Sequence, residues 1–325
     1  MKKISVVVPT YNESGNVIPM SEKVAEIFSK ELPDYDYELI FIDNYSKDNT
    51  RAEIAMACAK NKKVKAIFNA KNFGWMRSPY YGIIQSTGDC TVLMCADFQE
   101  PPEMIPKFVK AWEEGYRIVV GIKTTSKESK FKYWIRSKYY KLMKKMSDVE
   151  QIEHYTGFGL YDKSFVDVMR KIKDPMPYIR GIVSELGFAR KEIEYEQQQR
   201  THGKSKGNFF ALYDTAMLGI TSYTKNGLRI ATFAGLTLSA ISLGIALVYL
   251  ILKLVFWDSF PMGMAPVLIG VFLMGAVQLF FIGLLGEYIM NINTRVMGRP
   301  LVVEEGRLNF EDDSSDIKES EDNKK

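Results

Sequence analysis

One carboxylic acid and one amide lie two positions apart in the segment Cys95-Ala96-Asp97-Phe98-Gln99-Glu100. In an extended backbone, side chains at alternate positions point to the same side, so Asp97 and Gln99 would face one ligand. Carboxylate and amide oxygens suit Mg²⁺ or Mn²⁺, with a diphosphate and water completing the coordination shell. We therefore predict that Asp97 and Gln99 bind one of these two ions.

Polar and aromatic residues also follow two other strand-like runs, at Pro9–Glu13 and at Asp43. Groups of this kind at the carboxyl end of a strand can stack on a base and hydrogen-bond it. For Pro9–Glu13 a second reading stays open, namely a proline turn in which Asn12 or Glu13 caps the next helix. Asp43 ends a buried run, where an unpaired carboxylate is costly. We therefore expect Asp43 to have a donor partner, such as the N–H of a base.

Short apolar runs alternate with helix-like segments over residues 1–122. The predicted strands are Ile4–Val8, Glu38–Ile42, Val64–Phe68, Thr91–Cys95 and Arg117–Gly121. The predicted helices are Asn16–Lys30, Asp48–Lys60, Trp75–Ser86 and Pro102–Glu114. This alternation predicts a doubly wound α/β domain with a mostly parallel sheet. Ligands in such folds bind beyond the carboxyl ends of the strands, where the polar segments above lie.

Two later segments have patterns typical of a surface that meets lipid. Nine Lys or Arg and one acid lie between Lys123 and Lys145. This run fits either a solvated helix face or a surface that binds anionic headgroups or phosphate. Phe209–Tyr223 has apolar residues near helical spacing, which predicts an interfacial amphipathic helix at 208–228, although a core helix would have the same pattern.

Two windows of 23 residues, 230–252 and 264–286, contain no charged side chain. A helix of that length is roughly 34 Å long and crosses a hydrocarbon core of about 30 Å. Basic residues flank the pair of windows on their outer sides, and the connecting loop has none: Lys225, Arg229, Arg295 and Arg299. The positive-inside rule then places the α/β domain and both termini in the cytoplasm, at the inner or plasma membrane.

The composition excludes several other classes of protein. Three cysteines without a CxxC pair exclude a disulfide framework and a zinc ribbon, and two histidines argue against a His-rich metal site or a Ser-His-Asp hydrolase. The N-terminal apolar run before Pro9 is too short for a signal peptide.

We predict a domain at 1–207, the interfacial helix at 208–228, a two-helix anchor at 229–292 and a tail at 293–325 that is disordered from about residue 304.

The order of motifs resembles that of the polyprenyl-phosphate glycosyltransferases. These are family 2 glycosyltransferases related to dolichol-phosphate mannose synthase and the bactoprenol glucosyltransferases. The resemblance covers roughly residues 4–300 and rests on VVVPTYNE, FIDNYSKDNT, NAKNFG, CADFQEPPE, the run Gly203–Lys206 and the two apolar windows. It implies a GT-A fold, a nucleoside-diphosphate sugar donor, a divalent metal ion and a lipid-phosphate acceptor. It also implies oligomers formed through the membrane region, and we expect no nucleic-acid partner.

The resemblance assigns roles to residues by their match to the family motifs. Pro9, Tyr11, Glu13 and Asp43 match nucleotide-binding positions, and Asn72-Phe73-Gly74 matches a segment that lines the donor site. Asp97 and Gln99 match the metal-binding part of a DxDxQ run. Lys123 and Arg136 fall where the family has basic residues near the phosphates, and Arg200, Ser205 and Lys206 match a phosphate-binding loop. We expect Asp97, Arg136, Arg200 and Lys206 to be catalytic.

Two single residues and one run of five residues depart from the family pattern. Cys95 replaces the first acid of the DxD run, and Trp75 replaces a lysine. The run Thr156–Leu160 replaces Gly-Asp-Phe-Arg-Leu, which removes a carboxylate sometimes assigned as a general base. A phosphate monoester has a second pKa near 6 and is already mostly dianionic at pH 7, so it needs no base to attack. The departures therefore favour a phosphate acceptor over a hydroxyl acceptor.

These features predict the inverting transfer of a hexose from a UDP-sugar, UDP-glucose first, to undecaprenyl or another polyprenyl phosphate at the cytoplasmic face of the membrane. Two alternatives remain. One is a processive polysaccharide synthase, since Gln197–Arg200 partly matches QxxRW, with Thr201 in place of the tryptophan. The other is a non-catalytic membrane scaffold that binds nucleotide sugars.

Overall fold

The computed structural model describes residues 1–124, 152–198, 217–218, 221, 226–255 and 264–310. The chain divides into two units. The described residues of the first unit are 1–124, 152–198 and 298–310, and those of the second are 217–218, 221, 226–255 and 264–297.

Eight strands in the described part of the first unit form one sheet. They are β1 (Lys2–Thr10), β2 (Tyr35–Asp43), β3 (Val64–Asn69), β4 (Cys90–Leu93), β5 (Ile118–Lys123), β6 (Tyr155–Asp162), β7 (Arg190–Tyr195) and β8 (Glu304–Leu308). Their order in the sheet is β7-β5-β6-β4-β1-β2-β3-β8. The central strands β3, β2, β1 and β4 are parallel, and β5 is parallel to β7. The strand β6 is antiparallel to both β4 and β5, and β8 is antiparallel to β3.

Helices cover both faces of this sheet. They are α1 (Val17–Lys30), α2 (Thr50–Lys60), α3 (Gly74–Gln85), α4 (Met104–Glu113), α5 (Lys163–Lys171) and α6 (Ile179–Glu185). Side chains alternate across each strand, so Val6 packs with α1, α2 and α4 on one face and Val7 packs with α3, α5 and α6 on the other. Because both faces are buried, β1 and β2 each contain an uninterrupted apolar run, Val6–Val8 and Leu39–Ile42, as parallel strands between helical layers do.

The predicted α/β organisation of residues 1–122 is confirmed, with every predicted strand and helix present. The chain passes from β1 outward to β2 and β3, and then crosses to β4 on the other side of β1. The carboxyl ends of β1 and β4 therefore lie at the point where the strand order reverses, which is where ligands bind in doubly wound sheets.

The backbone around Asp97 differs from the prediction. The strand β4 ends at Leu93 instead of Cys95, and residues 96–97 form a turn. Phe98 has a φ of 58°, in the left-handed region. The extended backbone assumed for Asp97 and Gln99 is therefore wrong, because a left-handed residue between them reverses the direction of the chain.

The C-terminal region also differs from the prediction. Disorder was predicted from about residue 304, but Glu304–Leu308 form β8 at the edge of the sheet. The strand is Glu-rich and mostly exposed, so it lacks the apolar alternation by which a strand is predicted. Pairing with β3 satisfies its backbone groups instead. Residues 311–325 lie outside the described residues.

The second unit contains two long helices, α7 (Asn226–Val255) and α8 (Met264–Val296). They cover the two predicted apolar windows. Within the described ranges, one stretch, Leu273–Val296, has the length and apolar composition of a membrane span, with a mean hydropathy of 1.7. The predicted interfacial helix at 208–228 falls mostly outside the described residues.

Two glycines of β6 explain the departure at Thr156–Leu160. Gly157 has a φ of 111°, which side-chain-bearing residues rarely adopt. A Cβ atom at Gly159 would lie 2.3 Å from the carbonyl oxygen of Val119 on β5. Neither position can therefore carry a side chain without moving the backbone, so the acidic and basic residues of the family pattern do not fit this sheet.

Replacing Gly159 with alanine should destabilise the first unit. The added Cβ would meet backbone, which cannot rotate away, so we expect Gly159→Ala to lower the free energy of unfolding by about 1–3 kcal/mol or more. Gly306→Ala is the matched control, because a Cβ there meets nothing within 4 Å. Thermal unfolding of the full chain in detergent should show a clear drop for the first variant and little change for the second. Equal midpoints for both variants would contradict the close approach of β5 and β6.

Candidate active site

The loops that follow β1 and β2 are fastened to each other at the carboxyl edge. The Asn44 N–H donates to the Thr10 carbonyl at 2.9 Å. The Asn12 N–H donates to Ser46 Oγ at 2.8 Å, and Asn12 Oδ1 accepts the N–H of Lys47 at 2.7 Å. Asn12 has a φ of 54°, which asparagine tolerates better than most residues. The Pro9–Glu13 segment is thus held directly beside the end of β2.

The predicted nucleotide-binding residues on these loops lie together at this edge. Pro9 pairs with Ile42 near the ends of β1 and β2, and Tyr11, two residues later, has 36% of its surface exposed. Glu13 Oε2 accepts a hydrogen bond from Asn16 Nδ2 at 2.8 Å, and its N–H donates to Thr50 Oγ1 at 2.8 Å. The N-cap of α1 is Asn16, so the reading in which Asn12 or Glu13 caps this helix is wrong. Glu13 instead bonds the Asn16 side chain, and Tyr11 lies at the same edge as an exposed residue.

Asp43 has the donor partner that its burial requires, and this partner is a residue of the chain. The Asp43 side chain is fully buried. Its Oδ2 accepts the Arg51 Nε–H at 2.7 Å and the Ser46 N–H at 3.1 Å. A charged donor and a backbone donor together satisfy the hydrogen-bonding capacity of this buried carboxyl group at the end of β2.

Asn44 places the predicted donor-site segment beside Asp43. Its Nδ2 donates to Asn72 Oδ1 at 2.9 Å and to the Gly74 carbonyl at 3.2 Å. Its Oδ1 accepts the Phe73 N–H at 2.8 Å and Asn69 Nδ2 at 3.2 Å. One buried amide therefore holds Asn72-Phe73-Gly74 against the end of β2 with three hydrogen bonds, and a fourth joins it to Asn69.

Asp97 and Gln99 are brought together by a tight turn. Asp97 is buried, with 6% of its surface exposed, and its Oδ1 accepts the Gln99 N–H at 3.2 Å. The Gln99 carbonyl accepts the Gln198 N–H at 3.2 Å, which brings the chain two residues before Arg200 to this loop. One carboxylate and one amide suit a hard divalent cation whose remaining ligands are substrate phosphates and water. The described residues contain no group of three or more His, Cys, Asp or Glu that could hold a metal ion without such help.

Glu100 was not predicted from the sequence, and it links the Asp97 loop to β6. It is buried, and it accepts hydrogen bonds from the Cys95 N–H and from Thr156 Oγ1, both at 2.8 Å. Burial, with a further contribution from the nearby Asp97, raises the pKa of Glu100 to about 7. Cys95 is an exposed residue, but neighbouring protein atoms partly desolvate its thiol. This desolvation, followed by the charge of Glu100, raises the pKa of the Cys95 thiol as well. Cys95 is therefore a thiol, not a charged substitute for the family's acid.

Trp75 is another departure from the family pattern. It lies in the first turn of α3, after Gly74, and has 52% of its surface exposed. The Arg180 guanidinium carbon lies 5.9 Å from the Trp75 ring centre and 5.0 Å from that of Tyr178. Stacking against two rings holds a positive charge beside the donor-site segment, although the lysine expected from the family pattern is missing.

The remaining predicted site residues are Lys123, Arg136, Arg200, Ser205 and Lys206. Lys123 is the last residue of β5, and its N–H donates to the His154 carbonyl at 3.4 Å. Arg136, Arg200, Ser205 and Lys206 lie outside the described residues. Their roles stay predictions.

Comparison with known proteins identifies the family. The model of Glycosyl transferase family 2 matches residues 5–185. The SfII prophage-derived bactoprenol glucosyl transferase of Shigella flexneri is 32% identical over 299 residues, covering 92% of this chain and 96% of its own. The uncharacterised glycosyltransferase YkcC of Bacillus subtilis is 30% identical over 300 residues, covering 92% of each chain. This chain therefore belongs to glycosyl transferase family 2, and the predicted membership is confirmed.

Solved structures resemble the chain more distantly. Glucosyl-3-phosphoglycerate synthase from Mycobacterium tuberculosis, in complex with Mn²⁺, UDP and phosphoglyceric acid, has a TM-score of 0.47 and 15% identity, covering 68% of this chain and 76% of its own. The TM-score is too low to compare individual site residues. The family match and the strand order of the sheet define a GT-A-like α/β fold.

Replacing Glu100 with glutamine should change how stability depends on pH. The folded-state pKa of Glu100 is about 7, against an ordinary value of 4.5. A raised pKa means that the protonated form stabilises the fold below about pH 4.5, and that this contribution is lost as pH rises through 7. Glutamine mimics the protonated acid, so Glu100→Gln should raise the unfolding midpoint at pH 8 and have little effect at pH 4.5. The shift corresponds to about 3 kcal/mol at most.

The measurement is thermal unfolding of the full chain in EDTA at both pH values. Glu103→Gln is the matched control, since the same change of charge falls on a side chain that is 52% exposed and paired with Lys23. That variant should behave like the wild type at both pH values. A Glu100→Gln protein that is less stable than the wild type at pH 8 would show that the ionised carboxylate stabilises the fold, and would contradict a raised folded-state pKa for Glu100.

Proposed function

We propose that this family 2 glycosyltransferase transfers a hexose from a UDP-sugar, with UDP-glucose as the first candidate, to undecaprenyl or another polyprenyl phosphate. The observation that carries the proposal is the convergence of the Tyr11, Asp43, Asn72–Gly74 and Asp97 segments at one edge of the sheet. Relatives named bactoprenol glucosyl transferase, similar to this chain over 92% of its length, support the lipid acceptor and the glucose donor.

The donor would lie across the ends of β1, β2 and β4. Tyr11 would offer a ring on which a base stacks, Glu13 would offer a carboxylate for N–H groups or hydroxyls, and the buried Asp43 would act by fixing the end of β2. Asn72, Phe73 and Gly74 would line the sugar side, and Lys123 and Ser205 would contact the phosphates. These roles are proposals based on the family motifs and on the positions of the described residues.

Asp97 and Gln99 would hold a divalent cation, Mg²⁺ or Mn²⁺. When bound, such an ion supplies positive charge where the diphosphate leaves the sugar. Asp97 is suited to this because its carboxylate is buried in a tight turn. The same turn contains the Gln99 side-chain amide, which is the second proposed metal ligand. The pKa of the Cys95 thiol is raised well above its ordinary value and that of Glu100 to about 7, so neither group is proposed as the anionic ligand of the metal ion.

The acceptor would attack without a protein base. The attack is an in-line displacement at the anomeric carbon that inverts its configuration, through an oxocarbenium-like transition state. A phosphate monoester is mostly dianionic at pH 7, so no proton has to be removed from it. The task of the protein is to hold two repelling phosphates in place. Arg136, Arg200 and Lys206 are proposed to supply the cations that do this.

The second unit would anchor the enzyme in the inner membrane. Apolar side chains such as Phe233, Leu254 and Leu279 are more than 60% exposed on α7 and α8, as lipid-facing residues would be. We propose that both helices span the bilayer, that 208–228 is interfacial, and that the catalytic domain and both termini are cytoplasmic. This arrangement would let the prenyl chain stay in the bilayer while its phosphate reaches the site.

Reconstitution tests the proposed reaction directly. Purified protein with undecaprenyl phosphate and a panel of labelled nucleotide sugars should transfer label to the lipid phase from one donor, with UDP-glucose the expected one, and EDTA should stop the transfer. Asp97→Asn should reduce kcat by about 10²–10³-fold, because it removes charge that acts on the leaving group. Cys95→Ser should remain within a few-fold of the wild type.

Two outcomes of this assay would favour the alternative functions. Products longer than one sugar would indicate a processive polysaccharide synthase, and tight nucleotide binding without transfer from any donor would indicate a scaffold. Transfer that persists unchanged in EDTA and in Asp97→Asn would contradict the proposed role of the Asp97 loop.

A further inference from the structure

The segment 298–310 follows α8 in the chain. It lies against the start of the donor-site loop, which we define as residues 70–74 and which contains Asn72-Phe73-Gly74. The Ala70 N–H donates to the Val303 carbonyl at 2.9 Å, and Val302 is buried. From there β8 pairs with β3, and the register shifts between Phe68 and Asn69. The backbone of β3 is therefore supported by this segment up to the start of the loop.

Arg51 connects the same segment to Asp43. Its Nε donates to Asp43 Oδ2 at 2.7 Å, its Nη2 to the Asn69 carbonyl at 2.8 Å and its Nη1 to Glu305 Oε2 at 2.8 Å. The rings of Tyr45 and Phe68 lie 5.3 and 5.4 Å from the guanidinium carbon. A planar guanidinium with three partners in different directions and two rings beside it has little freedom to move.

Arg77 makes a second connection, on the far side of the loop. Its Nε donates to the Leu301 carbonyl at 2.7 Å and its Nη2 to the Pro300 carbonyl at 2.6 Å. Its guanidinium carbon lies 5.1 Å from the Phe73 ring centre. The loop is thus tied to the C-terminal segment at both ends, through Arg51 at Asn69 and through Arg77 at Phe73.

We propose that the segment 299–305 completes the nucleotide-sugar site, with Arg51 and Arg77 as positioning residues that act through Asp43, Asn69 and Phe73. The proposal deepens the function proposed above and rests on it for the identity of the ligand. Neither arginine has to touch the nucleotide. Arg51 orients the buried carboxylate, and Arg77 sets the position of the loop that lines the sugar side.

The alternative is that β8 merely covers the edge of the sheet, as protective edge strands do. Arg307 separates the two explanations, because it fastens β8 to α3 at Gln85, at the opposite end of that helix from residues 70–74. It bonds Glu304 on its own strand and Gln85 at the last position of α3. Arg307→Lys is therefore a matched control for Arg51→Lys and Arg77→Lys.

The experiment measures UDP binding to the full chain in detergent by calorimetry, and then the kinetics of transfer. Lysine keeps the charge but can replace only one of the bonds made by each guanidinium. Arg51→Lys should raise the Kd for UDP by about tenfold, equivalent to losing one hydrogen bond to a charged group, and Arg77→Lys should raise it by a few-fold. The KM for the donor should rise in step, with kcat and the KM for polyprenyl phosphate nearly unchanged. Arg307→Lys should bind UDP like the wild type.

A purely structural role for β8 would give a different pattern. All three variants would then lower the unfolding midpoint and leave the Kd for UDP unchanged, which would overturn the proposal. Wild-type protein that binds UDP but transfers no sugar would refute the proposed function, while the binding comparison would still decide this inference. Wild-type protein that binds neither UDP nor GDP would refute both.

Discussion

The buried carboxylate of Asp43 is the constraint on which this site depends. A carboxylate with no exposed surface must be paired, and removing the partner of such a group typically costs about 3–5 kcal/mol. Arg51 is that partner, at 2.7 Å, and its other donors reach the end of β3 and the C-terminal strand. The Arg51 side chain therefore connects the ends of β2 and β3 to the start of β8. The Asn44 amide then connects the end of β2 to the donor-site loop.

A second constraint comes from β6, which has to fit closely between β4 and β5. Gly157 adopts a left-handed conformation and Gly159 lies against the backbone of β5, so this strand presents no side chain where family members have an acid. Glu100 is nearby through Thr156, but its protonation near neutral pH keeps it from being a permanent charge. This is the ground on which we propose an acceptor that is already an anion, since an alcohol would have to lose a proton.

Much of the fold could be predicted from the sequence because the buried parallel strands contain uninterrupted apolar runs that alternate with longer helix-like segments. The position of Asp43 followed from the same pattern, but its partner did not, because Arg51 is the second residue of α2 and nothing in its spacing marks it. The turn at Asp97 depends on the left-handed φ of Phe98, a residue with no preference for it. The strand β8 was missed because its partners lie more than 200 residues away in the chain, and a Glu-rich segment has no strand pattern of its own.

The dependence of kcat on pH for two acceptors tests most directly whether the ionised acceptor replaces a protein base. A polyprenyl phosphate and the matching phosphonate differ in their second pKa, the phosphonate having the higher value. If the acceptor attacks as its dianion, the rate should rise with pH through an inflection near 6 for the phosphate. That inflection should then move upward for the phosphonate. An inflection near pH 7 that is the same for both acceptors and disappears in Glu100→Gln would contradict this account and assign the base to Glu100.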